Sequence, residues 1–79
     1  MTKLNNMNAE LLEFIVKQTS EVSNKKIKDL DFPRSAIIGG IIREGEGIIA
    51  LGDFMIRAGD RIVVCCLPRS INKVEKLFL

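Results

Sequence analysis

The chain has 79 residues and a net charge of +2, from twelve Lys and Arg against ten Asp and Glu. That balance gives no basic stripe for nucleic acid, and without Trp or Tyr no stacking platform accompanies one. With no histidine, and no Ser or Cys beside a plausible base, the chain lacks the acid–base pair that catalysis needs, so an enzyme is not expected.

Residues 1–9 are polar, lack the apolar core of a signal peptide and read as a flexible N-terminal segment. Met7 reads equally as an internal residue of a longer protein. No stretch approaches the roughly 18 apolar residues of a membrane span. The folded unit is expected over residues 10–79, small enough that association with another chain would help stabilise it.

The first strand is predicted over Glu10–Lys17, with Leu12, Phe14 and Val16 on one face and Leu11, Glu13 and Ile15 on the other. A polar connection, Gln18–Glu21, leads to a short helix predicted to begin at Ser23 as N-cap, with Val22 stapled to Ile27. Ile27 and Leu30 would be its buried edge and Lys25, Lys26 and Lys28 its wet one. Pro33 stops it.

Ser35–Leu51 reads as a β-hairpin about Glu44-Gly45, which sets Arg43 opposite Glu46 and Ile41 opposite Ile48. Strict alternation puts Ile37 and Ile41 on one side and Ile38 and Ile42 on the other. Both sides are therefore apolar, and a chain this short covers only one, so the other calls for a partner. Gly39 and Gly40 inside the strand signal a bulge or a close backbone approach.

Phe54–Ile56 forms a short bridging segment, and Arg57–Asp60 a second turn with Gly59 at positive φ. Arg61–Leu67 is an apolar run suited to a central strand buried on both sides. Pro68 and Ser70 open a last helix that buries Ile71, Val74, Leu77 and Phe78 and leaves Arg69, Lys73, Glu75 and Lys76 outside. The expected fold is a small α+β domain, β-α-β-β-β-α, with a mainly antiparallel sheet, pairing as a dimer. Adjacent Cys65 and Cys66 face opposite ways on a strand and lack zinc spacing, so they read as buried thiols in a reducing setting.

The ordered set Asn24–Leu30, Ile41-Ile-Arg-Glu-Gly-Glu46, Gly52-Asp53 and Gly59-Asp-Arg-Ile-Val-Val64 resembles the TrkA C-terminal domain, also called the RCK C-terminal domain, over about residues 10–78. The resemblance implies a cytoplasmic regulatory domain of potassium and other cation transport systems, held at the inner membrane by a transporter subunit. It implies a homodimer whose cleft takes a small effector, in some members the nucleotide cyclic di-AMP, and a companion Rossmann-type nucleotide-binding domain. This chain has no G-x-G-x-x-G loop of its own, so it reads as a fragment or as the lone sensing half. It also lacks the histidine that helps hold cyclic di-AMP in some members, and Gly39 and Gly40 stand where many relatives carry larger apolar residues.

Five residues are candidates for the cleft. Arg43 ends the strand that lines it in the family, where a guanidinium fork suits phosphate; the competing reading is a surface pair with Glu46. Ile37, Ile38, Ile41 and Ile49 would floor an apolar pocket or form plain dimer core. Asp53 and Asp60 are explained by turn and capping duty. Three functions stay open: a ligand-sensing regulator, a structural dimerisation module without small-ligand binding in another transporter or antiporter, and an amino-acid sensor of similar layout.

Overall fold

The computed structural model describes residues 8–79; most of the N-terminal segment expected to be flexible lies outside the described residues. Four strands form one antiparallel sheet: β1 (Glu10–Ile15), β2 (Ala36–Arg43), β3 (Glu46–Ile48) and β4 (Arg61–Cys66), in the order β1-β4-β2-β3. A 3-10 turn at Pro68–Ser70 leads into the helix α1 (Ile71–Leu77). Val74, Leu77 and Phe78 pack with Ile62, Val64 and Cys66 in one core, as the spacing of the final segment predicts.

The Val- and Ile-rich β4 lies in the middle of the sheet, paired with β1 on one edge and β2 on the other. It was expected to be buried on both sides, and only one side is. Ile62, Val64 and Cys66 are buried, whereas Arg61 is exposed and Val63 and Cys65 are half-buried. The helix and the loop from Val16 to Ser35 contribute their apolar residues to a single core and so clothe a single face.

The segment after Ser23 is not the expected helix. Asn24 takes a left-handed φ of 62°, and Lys26 is extended. The backbone pairs instead with residues 52–56: Asn24 N donates to Ile56 O, Ile56 N to Lys25 O, Ile27 N to Phe54 O and Lys28 N to Gly52 O. These tertiary bonds satisfy the groups that a helix would have used, and only a 3-10 turn at Ile27–Asp29 survives. Val22 is nonetheless fully buried, and Ile27 and Leu30 still pack on the core.

The hairpin turn forms as the sequence predicts. Glu44 and Gly45 have φ of 50° and 80°, the two positive values of a type I′ connection, and they set Arg43 opposite Glu46 and Ile41 opposite Ile48. β3 ends at Ile48, sooner than expected. Between Ile38 and Gly40 the register against β4 shifts by one, so Gly39 is a bulge.

That single inserted residue reverses the expected alternation. Ile38 and Ile41 stand opposite Val64 and Ile62 on the core side, while Ile37 and Ile42 stand opposite Cys65 and Arg61 on the other. Ile37 therefore does not share a face with Ile41, nor Ile38 with Ile42.

Two contacts tie Phe78, beyond α1, to β1 and to the connection that follows it. The rings of Phe14 and Phe78 stack with centroids 4.5 Å apart. Buried Ser20 accepts a hydrogen bond from Lys17 N at 2.9 Å and donates to Phe78 O at 3.1 Å, which anchors the polar connection after β1.

Candidate functional site

Strand registers assign the uncovered face residue by residue. Leu11, Cys65 and Ile37 form one row, Glu13, Val63 and Gly40 the next, and Ile15, Arg61, Ile42 and Gly47 the third. Beyond β3 the alternation continues, since Ile48 and Ala50 pack on the core while Ile49 and Leu51 are exposed. Leu11 is 74%, Ile37 66% and Ile49 84% exposed, values that apolar side chains of a packed domain seldom keep together. The two charged groups in these rows, Glu13 and Arg61, pair with each other at 3.5 Å. A shallow cavity of about 190 Å3 opens at the first row, between Ile37, Cys65, Leu67 and Arg34.

Arg43 lies at the far end of β2 and does not pair with Glu46. Its Nε donates to Asp60 Oδ1 at 2.8 Å and its Nη2 to Asp60 Oδ2 at 2.7 Å, with a further bond from Nη2 to Met55 O at 2.9 Å. The guanidinium also lies 4.6 Å over the Phe54 ring. Asp60 is only 2% exposed and accepts Arg57 N at 2.9 Å.

Burial alone would push the Asp60 carboxyl up. The hydrogen bonds from Arg43 and Arg57 N, with the Arg43 charge, outweigh it and hold the group below the ordinary carboxylate value. Reciprocally, the Asp60 hydrogen bonds raise the Arg43 guanidinium against the opposing effect of burial. A cavity of about 320 Å3 adjoins this pair beside Glu44 and Arg57.

The five sequence candidates therefore separate. Ile37 and Ile49 stand on the open side, Ile41 is 1% exposed inside the core, Ile38 packs against that core, and Arg43 is held by Asp60. Asp60 serves its turn, as expected, and also Arg43, a pairing across 17 residues that no local motif announces. Asp53 pairs with Lys28 at 3.2 Å on the surface. Sequence reasoning placed Leu11, Glu13 and Ile15 together, but it missed that Ile42, Val63, Cys65 and Gly47 share their face. The bulge hides that from any count by twos.

Cys66 is buried in the core, where burial pushes its thiol pKa up, whereas half-buried Cys65 lies in the first open row. Among the described residues no group of three His, Cys, Asp or Glu is placed to hold a metal, and no helix is long and apolar enough to cross a membrane.

The family model of the TrkA-C domain matches residues 11–79, nearly all of the folded unit. The chain belongs to the TrkA-C domain family. This is a family of regulatory rather than catalytic domains. Among similar proteins, the Trk system potassium uptake protein TrkA homolog 2 of Methanosarcina mazei is 34% identical over 70 residues, 89% of this chain and 16% of that protein. The TrkA homolog of Archaeoglobus fulgidus is 40% identical over 68 residues, 86% of this chain and 15% of that protein. The TrkA-C chain thus spans about one sixth of the length of these relatives. A solved RCK domain with cda superposes with a TM-score of 0.75 at 25% identity, over 87% of this chain and 97% of that one.

Proposed function

We propose that this TrkA-C domain is the ligand-sensing, dimerising regulatory part of a potassium or cation uptake system, held at the cytoplasmic face of the membrane by its transporter partner. The observation that carries the reading is the family match over residues 11–79. The names of the relatives support potassium as the ion, and their greater length supports a companion Rossmann-type nucleotide-binding domain in the full-length protein. The likeness to an RCK domain solved with cda, read here as cyclic di-AMP, supports a nucleotide-type effector. The uncovered apolar face supports pairing of two copies.

In this reading a ligand bound at the dimer cleft favours one arrangement of the pair, and the shift it produces is limited by its difference in affinity for the two. Ile37 and Ile49 supply apolar contact, and Ile38 and Ile41 support the strand from beneath. Arg43 meets a phosphate only by giving up part of its hold on Asp60.

That hold favours a second reading, a dimerisation module without a small ligand, because the one candidate cation of the cleft is already satisfied. Calorimetry with cyclic di-AMP and a set of mononucleotides separates the two. The sensing role is expected to give saturable heat for one compound, at one ligand per two chains. Absence of heat throughout leaves the structural role.

A further inference from the structure

We infer that the outer edge of β1 takes an added strand, an extended segment of the full-length protein from outside these 79 residues. The inference is independent of the dimer and the effector of the proposed function. β1 pairs with β4 on one side, and among the described residues no strand pairs with it on the other. Val16, just beyond β1, shows which backbone groups face outward. Its N–H donates to Asp60 O and its carbonyl accepts Gly59 N, so both point toward the chain entering β4. Alternation turns Phe14, Leu12 and Glu10 the same way and leaves the N–H and C=O groups of Leu11, Glu13 and Ile15 facing outward.

Edge strands of a soluble domain carry a guard against pairing: a bulge, a proline, a lysine, or too few residues. The opposite edge has one, since β3 is three residues long. β1 has six, in unbroken register with β4, and its sequence Glu-Leu-Leu-Glu-Phe-Ile holds no glycine, proline or lysine. Glu13 spends its charge on Arg61 of the neighbouring strand, at 3.5 Å. Apolar side chains flank the edge on both faces. Leu11 and Ile15 are exposed on one, and Leu12 and Phe14 are half-buried on the other. An added strand covers these flanks and pairs the outward groups, as in recognition by strand addition.

Charge narrows the occupant. Two copies of β1 set antiparallel about Glu13 would bring Glu13 against Glu13, a like-charge contact that disfavours self-pairing. Exposed Glu10 belongs to none of the ion pairs among the described residues. The fitting segment is apolar beside Leu12 and Phe14 and basic beside Glu10. A protein of the relatives' length, about six times the span of this chain, has the residues to supply it.

Amide hydrogen exchange on the 79-residue chain and on the full-length protein tests the inference. The Leu11, Glu13 and Ile15 amides are expected to exchange freely in the short chain and at least 100-fold more slowly in the long one. Leu12 and Phe14, bonded to β4, should be slow in both. Glu13→Pro removes an N–H that the short chain leaves unpaired, so it should spare the fold and abolish the added protection at Leu11 and Ile15. Glu10→Lys, at an exposed position, should cut that protection roughly fivefold and decides the matter if the proline variant does not fold.

Free exchange at all three amides in the full-length protein overturns the inference. So does protection that both variants preserve. Protection that grows with concentration of the short chain alone overturns it as well, by assigning the edge to a second copy.

Discussion

Arg43 holds Asp60 by two parallel bonds, Nε to Oδ1 at 2.8 Å and Nη2 to Oδ2 at 2.7 Å, and so joins the end of β2 to the turn that starts β4. With Asp60 buried, removing the guanidinium leaves its carboxylate with Arg57 N as its remaining partner. Arg43→Gln is expected to lose about 3 kcal/mol of unfolding free energy in urea at fixed chain concentration. Arg43→Lys should lose a good part of that, since an ammonium cannot make the two-point contact. A loss under about 1 kcal/mol for Arg43→Gln would mean that the pair is ornamental.

The same pair sets an acid limit. The Asp60 carboxyl titrates below its ordinary value of 3.8 in the folded chain, so on acidification the unfolded chain takes up its proton first. The contribution of Asp60 is complete above that ordinary value and disappears as pH falls through the lower, folded one. Urea midpoints measured from pH 7 to pH 2 should show this decline. In Asp60→Asn the decline should be shallower, starting from a less stable protein at pH 7. An identical slope in both would assign acid unfolding to other carboxylates.

Glu44 sits at φ 50° in the hairpin turn, a conformation that asparagine or glycine adopts with less strain. Glu44→Asn is expected to raise stability by about 0.5 kcal/mol. Gly45→Val, at φ 80°, should lower it by about 1–2 kcal/mol. Thermal melts of the two variants check both signs. Equal and negligible effects would show that the turn is free to adopt another form.

The adjacent thiols should differ sharply in reactivity. Cys66 is enclosed and its thiol pKa is raised, so a maleimide should modify it only on global unfolding. Half-buried Cys65 should react in the native monomer, and more slowly as chain concentration rises and the open face is covered. Peptide mapping after timed labelling distinguishes the two sites. A Cys65 rate that ignores concentration argues against cover over the first row.

Much of this architecture is legible from local pattern. The final helix, the turn at Glu44-Gly45 and the central strand each depend on residue periodicity or on a turn dipeptide, and each stands where the sequence predicts. Ser23–Leu30 misled because a good N-cap and a staple pattern are local signals, whereas the bonds to residues 52–56 that displaced the helix are not. The glycine pair was recognisable as a bulge, yet its effect on the faces follows only once the position of the extra residue is known. With Gly39 out of register, Ile37 turns outward and Ile41 inward. The partner of Arg43 was hidden for the same reason as the displaced helix: Asp60 is remote in sequence and its role depends on the sheet order.

Methyl NMR of the isoleucine and leucine side chains across a dilution series addresses the two-copy interface directly. Leu11, Ile15, Ile37, Ile42 and Ile49 should shift or broaden together as the chain is concentrated, while Ile41, Ile56 and Ile62, buried in the core, should hold their positions more closely. Changes centred on α1 and its exposed side, with the sheet-face methyls unmoved, would contradict the pairing of two copies through this face.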